Sequence, residues 1–579
     1  MRIKTVFALS VTIVTIISLT SLIPGPVAQV HVSHRFTPPY PRFSKAVAFD
    51  LSPAVRNLVR TSRMSALSSS VDREIRPERG PIPKSKRFSG DAAVQPSMPA
   101  ALTNFATIPT PLLNFDGLGN LDNPPTLRFT PPDPVGAVGP DNYVEMDNVS
   151  FAVYDKRGNL LSGPTLTGDL WQGFAIPDCT DPSGDPVVLY DKSAGHWLLS
   201  QLTTRGLSDP TLPFYNCVAI SVDEDPTGAY FRYAFVTTEN GKFFFPDYPK
   251  YGTFGTSYVL TSRDFGPTTE YGISVYALEK EKMLDGDPHA RMVHFFLDST
   301  VVPIYQIGDG LLPPDVDGEE DPSDTAPAPV VGTMDQGAQY GAPFDALNIY
   351  ELSVLWNDQP IASLNLAAQL PVAEFDSTFP CTDTITPPPA SQTRSCIPQP
   401  GTTRKIDVLS YRQRPTFRLA YRNFGPYETM VTNQSVQARP GIAGVRWYEI
   451  RRINGQYVLY QQGTYSPDDV NRWMGSIAMD RRGNIAVGYS VGNSTVFPGI
   501  RYTGRLKGDP LGQMTLGEAS IIEGSGSQLS RGSRWGDYTA MTVDPADDCT
   551  FWCVNEYYKA TSVNLWSTRI GNFRLPGCQ

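Results

Sequence analysis

Two stretches near the C-terminal end of the chain follow one pattern. The first runs Arg472-Trp473-Met474-Gly475-Ser476-Ile477-Ala478-Met479-Asp480, turns through Arg481-Arg482-Gly483-Asn484, and continues Ile485-Ala486-Val487-Gly488-Tyr489-Ser490. The second runs Arg534-Trp535-Gly536-Asp537-Tyr538-Thr539-Ala540-Met541-Thr542-Val543-Asp544, turns through Pro545-Ala546-Asp547-Asp548, and continues Thr550-Phe551-Trp552-Cys553-Val554. Each joins a small-residue lead-in, an apolar strand, an Asp-led turn and a second apolar strand. Self-similarity at a spacing of several tens of residues marks a repeat architecture, and repeats made only of hairpins point to a β-propeller.

Composition agrees with an all-β fold. The 579 residues are 40% hydrophobic and 11% aromatic, which supplies a core, and 48 Gly and 53 Pro punctuate short β-branched and aromatic runs. A formal net charge of −10 argues against a nucleic-acid partner, which requires a basic footprint.

Arg2 and Lys4 precede an apolar stretch from Val6 to Ile23, with Ala28 offering a small residue for cleavage. Residues 1–28 therefore read as a signal peptide, with no membrane insertion after its removal; an uncleaved anchor is the competing reading, weakened by the Thr and Ser residues within the stretch. Export makes the seven cysteines disulfide candidates. Cys381 and Cys396 bracket a Pro-rich loop, Cys179 and Cys217 flank one expected blade, and Cys549 and Cys578 would pin the last residues to the final blade. Cys553 is then left unpaired. Sequons stand at Asn148, Asn433 and Asn493.

Residues 29–102 are rich in Pro, Ser and Arg with little strand pattern, as expected of a disordered leader or propeptide. The propeller is expected from 103 to 579. Inner strands are expected to start at Pro132-Asp133-Pro134, Gly184-Asp185-Pro186, Pro246-Asp247-Tyr248, Pro329-Val330-Val331, Phe424-Gly425-Pro426, Trp473-Met474-Gly475 and Trp535-Gly536-Asp537. That gives about seven four-stranded blades, with six or eight left open. Ring closure would pair Leu112–Gly117 with the run Leu565–Phe573. Asp315 to Asp321 reads as a solvated acidic insertion without EF-hand spacing.

Several motifs carry a resemblance: Pro131 to Pro140, Ser150 to Lys156, Gly184 to Asp191, Tyr421 to Gly425, Gln462 to Asp468 and the Arg534-Trp535-Gly536-Asp537-Tyr538 region. As a set they resemble a family of large secreted proteins of bacterial type, uncharacterised in activity. The resemblance covers about residue 105 to the end. It implies secretion and a propeller-like fold, and it brings no activity for any position. Cys553 departs from the pattern, and the segment before 100 is not shared.

Propeller ligands usually sit at one mouth of the channel. The acids Asp133, Asp185, Asp247 and Asp537 lie at inner-strand starts, with Glu428 nearby, and equivalent positions should form a ring. Such a ring could bind Ca²⁺, through Asp185, Asp247 and Asp537, or supply paired carboxylates for sugar chemistry. Alternatively, each Asp caps a local turn. Arg472 and Arg534 could recognise a carboxylate or sulfate, with Trp473 and Trp535 as sugar-stacking faces. Equally, the tryptophans could fill wedges between blades. Tyr248, Lys250 and Tyr251 complete a polar and aromatic set. Five histidines without metal spacing exclude a zinc cluster, and Gly524-Ser525-Gly526-Ser527 lacks nucleophile-elbow spacing.

Two functions follow as expectations. One is a secreted propeller that binds or processes extracellular polysaccharide at the channel mouth; as an enzyme it would be a carboxylate-using hydrolase or lyase. The other is a non-catalytic adhesion or assembly scaffold that binds a cell-surface protein.

Overall fold

In the computed structural model the chain is described at residues 36–60, 90–95, 107–239, 241–337, 340–377, 395–407 and 412–578. Among these residues helix is confined to short turns such as Lys280–Leu284 and Ile304–Ile307. The rest is a seven-bladed β-propeller, each blade an up-and-down antiparallel sheet.

Blade I comprises Val135–Val138, Asn142–Met146, Ser150–Asp155 and Leu160–Leu166. Blade II comprises Val187–Asp191, His196–Leu202, Phe214–Ser221 and Tyr230–Thr237. Blade III comprises Phe245–Phe254, Ser257–Phe265, Tyr271–Glu279 and Arg291–Asp298. Blade IV has three strands, Ala328–Met334, Ala346–Leu355 and Ile361–Pro371. Blade V comprises Thr416–Asn423, Glu428–Arg439, Ile442–Ile453 and Gln456–Tyr465. Blade VI comprises Asn471–Met479, Ile485–Gly492, Gly499–Arg505 and Glu518–Ile522. Blade VII comprises Ala540–Val543, Thr550–Tyr557 and Ser567–Arg574, completed on its outer edge by Leu113–Gly119. The expected closure is the one observed.

The Asp-led turns of the sequence repeat have a local cause. In blade VI Asp480 accepts backbone N–H bonds from Arg482 and Asn484 at 2.8 and 2.9 Å, and Gly483 supplies a φ of +83°. Asp155 in blade I and Asp547 in blade VII hold their turns in the same way. Each strand pair is thereby registered before its faces pack. The core lies in the wedges between sheets: one apolar cluster joins blades I, II, III and VII, another blades III, IV and V.

Several expectations are corrected. In blade V the inner strand is Thr416–Asn423; Phe424 to Val431 forms the following turn and second strand. The acidic run is solvated only in its second half, where Glu319, Glu320 and Asp321 are exposed. Pro314–Asp317 is a strand parallel to Thr416–Asn423, lying between the first strands of blades III and V, where blade IV stands back from the axis. Its Asp315 and Asp317 pair with the buried Arg418 at 3.2 and 2.5 Å. Two parts of the supposed leader belong to the disc. Ala48–Leu51 adds a fifth strand to blade II and Arg42–Lys45 one to blade III. Further along, Asp91 is buried against Arg446 of blade V at 2.5 Å. Asn148 and Asn433 are buried, leaving only Asn493 of the three sequons at the surface.

Cys179–Cys217 and Cys549–Cys578 are disulfides, and Cys553 is a buried free thiol. Cys396 is also disulfide-bonded; its expected partner Cys381 lies outside the described residues. The signal-peptide residues also lie outside them, and no helix among the described residues is long and apolar enough to cross a membrane.

Candidate functional site

The inner strands of blades I, II and III are entered through one backbone device. Asp133, Asp185 and Tyr248 each adopt a positive φ, 47°, 49° and 56°, immediately before a proline. Asp tolerates this left-handed bend because its short side chain can bond nearby backbone. Aligned on the bend, the blade III counterpart of Asp133 and Asp185 is Tyr248. Asp247 is one residue out of phase with that bend, on the opposite side of the strand, and its charge bears on Asp264. The expected four-acid ring is therefore three acids and a tyrosine.

These side chains cross-link the blades. Asp133 accepts the N–H of Asp537 at 2.8 Å, tying blade VII to blade I. Asp185 accepts the N–H of Tyr248 at 3.0 Å, tying blade II to blade III. The Tyr248 hydroxyl donates to the Asp537 carbonyl at 3.3 Å, and the Tyr538 hydroxyl to the Pro186 carbonyl at 2.9 Å. Between the two rings stands Lys250, its Nζ 3.6 Å from each ring centroid and bonded to its neighbour Pro249 carbonyl at 2.9 Å. Asp133 and Asp185 thus cap backbone while acting, with Asp537, on the same buried lysine.

Burial dominates the electrostatics. Lys250 has no accessible surface, and desolvation lowers its ammonium to about 7 against the pull of Asp185. Desolvation, with Asp537 and Asp185 adding like charge, raises the Asp133 carboxyl well above the usual range. Glu556, whose Oε2 accepts the Gly536 N–H at 3.0 Å, is raised by burial too. Tyr248 is pushed up to about 12 by burial. Arg534 binds both oxygens of Asp537 at 3.0 and 2.9 Å, and this pair is the part of the cluster nearest solvent.

Other expected site residues are placed differently. Trp473 and Trp535 are fully buried, 5.8 Å apart between centroids, and packed with Tyr558, Ile397 and Ile406. They are wedge fillers and present no sugar-stacking face. Arg472 is buried between Asp468 and Glu518 at 2.8 and 2.7 Å and so is already paired. Glu428 pairs with Arg452 in blade V. Tyr251 is buried in the blade III wall. Among the described residues no three Asp, Glu, His or Cys side chains are grouped as metal ligands.

Residues that sequence reading missed come chiefly from the insertion between blades IV and V. Its strands Ser395–Ile397 and Ile406–Asp407 lie over Trp473 and Trp535, and Asp407 donates its N–H to the Ser533 carbonyl at 2.8 Å. The insertion ends by placing Arg414 with its Cζ 3.7 Å from the Tyr248 ring centroid. Beside it Arg412 and Arg263 share Asp309 at 3.2 and 3.0 Å, and Asp309 accepts the Tyr340 hydroxyl at 2.8 Å. No periodic pattern marks the insertion. Tyr538, by contrast, stands inside the repeated motif.

No family model matches the chain, and no curated protein matches it. Solved structures do. An endo-arabinase from Bacteroides thetaiotaomicron is 14% identical, covering 55% of this chain and 92% of its own, with a TM-score of 0.24. A Hadza microbial sialidase is 8% identical over 76% and 74% with a TM-score of 0.33. An ulvan lyase is 9% identical over 76% and 93% with a TM-score of 0.31.

Proposed function

We propose that this protein handles an extracellular glycan at the mouth where the inner strands begin. The observation that carries the reading is the Lys250 cluster: a lysine between two tyrosine rings, within reach of Asp133, Asp185 and Asp537. Ring closure needs only backbone bonds and wedge packing. Acids raised and a lysine lowered toward neutrality are the pattern found where protons move. If the site is catalytic, the protonated Asp133 serves as acid and neutral Lys250 as base, in hydrolysis or elimination. The extracellular setting is supported by the signal-like N-terminus and by the disulfides, which persist in oxidising compartments.

A second reading, a non-catalytic scaffold for a cell-surface protein, is favoured by the cover over the mouth and by the inaccessibility of Lys250. The disc edge formed by Arg42–Lys45 and Ala48–Leu51 also leaves Phe43, Val47 and Leu51 exposed. A polysaccharide array scored for binding and for released reducing ends separates the two. Binding that Lys250→Met weakens supports the glycan reading. An array blank for the folded protein returns it to the scaffold.

A further inference from the structure

Every deeply buried arginine described in this fold but one is answered by the protein. Arg418 meets Asp315 and Asp317, Arg422 meets Asp548, and Arg446 meets Asp91. Arg414 is the exception. It is fully buried, yet its Nε, Nη1 and Nη2 have no hydrogen-bond partner among the described residues. A guanidinium carries five N–H donors in a planar fork, and burying them unpaired is strongly unfavourable.

Its surroundings define what is missing. The guanidinium lies against the Tyr248 ring, 3.7 Å from Cζ to centroid, a contact that leaves the N–H edges unused. Lys250 lies across the same ring, 3.6 Å from its centroid, held between Tyr248 and Tyr538 and bonded to the Pro249 carbonyl. The carboxylates that act on Lys250 are engaged: Asp133 with the Asp537 N–H, Asp185 with the Tyr248 N–H, and Asp537 with Arg534. A buried guanidinium with every N–H donor free of a protein partner among the described residues forms a receptor for an oxyanion.

We propose that Arg414 binds an oxyanion, namely the carboxylate or sulfate group of an acidic glycan. This rests on the glycan reading for the source of the group, but not for the anion site itself. It also gives the insertion between blades IV and V a task, because that segment carries Arg414 to the channel.

The test uses the full chain, with inorganic sulfate and acetate as probes. Thermal melts of wild type and Arg414→Gln are compared across low millimolar concentrations of each, with chloride as the control. The expected result is a dose-dependent rise in the wild-type melting temperature that Arg414→Gln loses. An equal response in both proteins, or none in wild type, overturns the site. If Arg414→Gln does not fold, crystals of the wild type soaked in selenate decide: an anomalous peak within hydrogen-bond distance of Arg414 supports the proposal, and its absence overturns it. Titration with a uronate-bearing, a sulfated and a neutral polysaccharide then identifies the source. Preference for the acidic polymers, reduced at least tenfold in Arg414→Gln, supports the acidic-glycan assignment. Glycan binding that Arg414→Gln leaves unchanged refutes it while sparing the glycan reading. Inorganic anion binding without binding of any polymer refutes the glycan source and leaves the anion site standing.

Discussion

Glu145 shows what single buried residues do to this fold. Its carboxylate accepts the Leu118 N–H at 2.9 Å and the Tyr154 hydroxyl at 3.3 Å, linking blade I to the closing strand, but burial pushes its pKa up to about 7 from an ordinary 4.5. The folded state therefore holds a proton that the unfolded chain has released. The stability from this group is complete below pH 4.5 and is lost as pH rises through about 7. Asp264, between Ser262 and Ser274 and also raised to about 7 by burial, adds the same slope. Glu145→Gln and Asp264→Asn should each flatten the decline in melting temperature between about pH 5 and pH 8, and gain on wild type at the upper end. A steeper decline in either variant would contradict this. Trp473→Ala should cost about 3–5 kcal/mol in chemical denaturation, because a fully buried indole leaves a cavity. A loss under about 1 kcal/mol would mean the wedge collapses around it. The sequence marked Asp133, Asp185, Lys250 and Asp537, since acids at repeated strand starts are visible as text. It misled at Asp247 because the phase of the bend is a backbone property, carried by the positive φ of Tyr248.

At the scale of elements, the repeated Asp-led hairpins were legible because Asp480 and Asp547 settle their turns locally. The inner strand of blade V was not. Thr416–Asn423 contains Arg418 and Arg422, which read as surface residues; only Asp315, Asp317 and Asp548, distant in sequence, make them buriable. The segment Arg42–Lys45 and Ala48–Leu51 escaped notice for a related reason, since a four-residue edge strand has no periodicity to read. Its role is to cover the outer edges of blades II and III. Deleting residues 36–60 should leave a folded disc that self-associates through the bared edges, measurable by light scattering. A truncated protein as monodisperse as the full chain would argue against an edge-covering role. Asp91→Ala should destabilise by about 3–5 kcal/mol in denaturant, since it strands the fully buried Arg446. A double variant, Asp91→Ala with Arg446→Met, should recover much of that loss.

For the whole molecule, closure is the decisive event. Leu113–Gly119 completes blade VII against Ser567–Arg574, and Cys549–Cys578 fastens the segment that follows. Replacing both cysteines by serine should cost about 2–4 kcal/mol, with fraying at blade VII visible first by hydrogen exchange. Uniform exchange across all blades would show that closure holds without the bond. The ring was readable because both partners carry strand patterns; the setback of blade IV was not, because Pro314–Asp317 takes its place through parallel pairing rather than a hairpin. The pairing of Leu113–Gly119 with Ser567–Arg574 also sets a clock. About 450 residues separate the partners, so at synthesis rates of about 5–20 residues per second the first strand waits roughly 20 to 90 s for its mate. Throughout that interval the nascent chain carries a strand whose backbone partner has not yet been made, and the ring can close only once the final blade arrives.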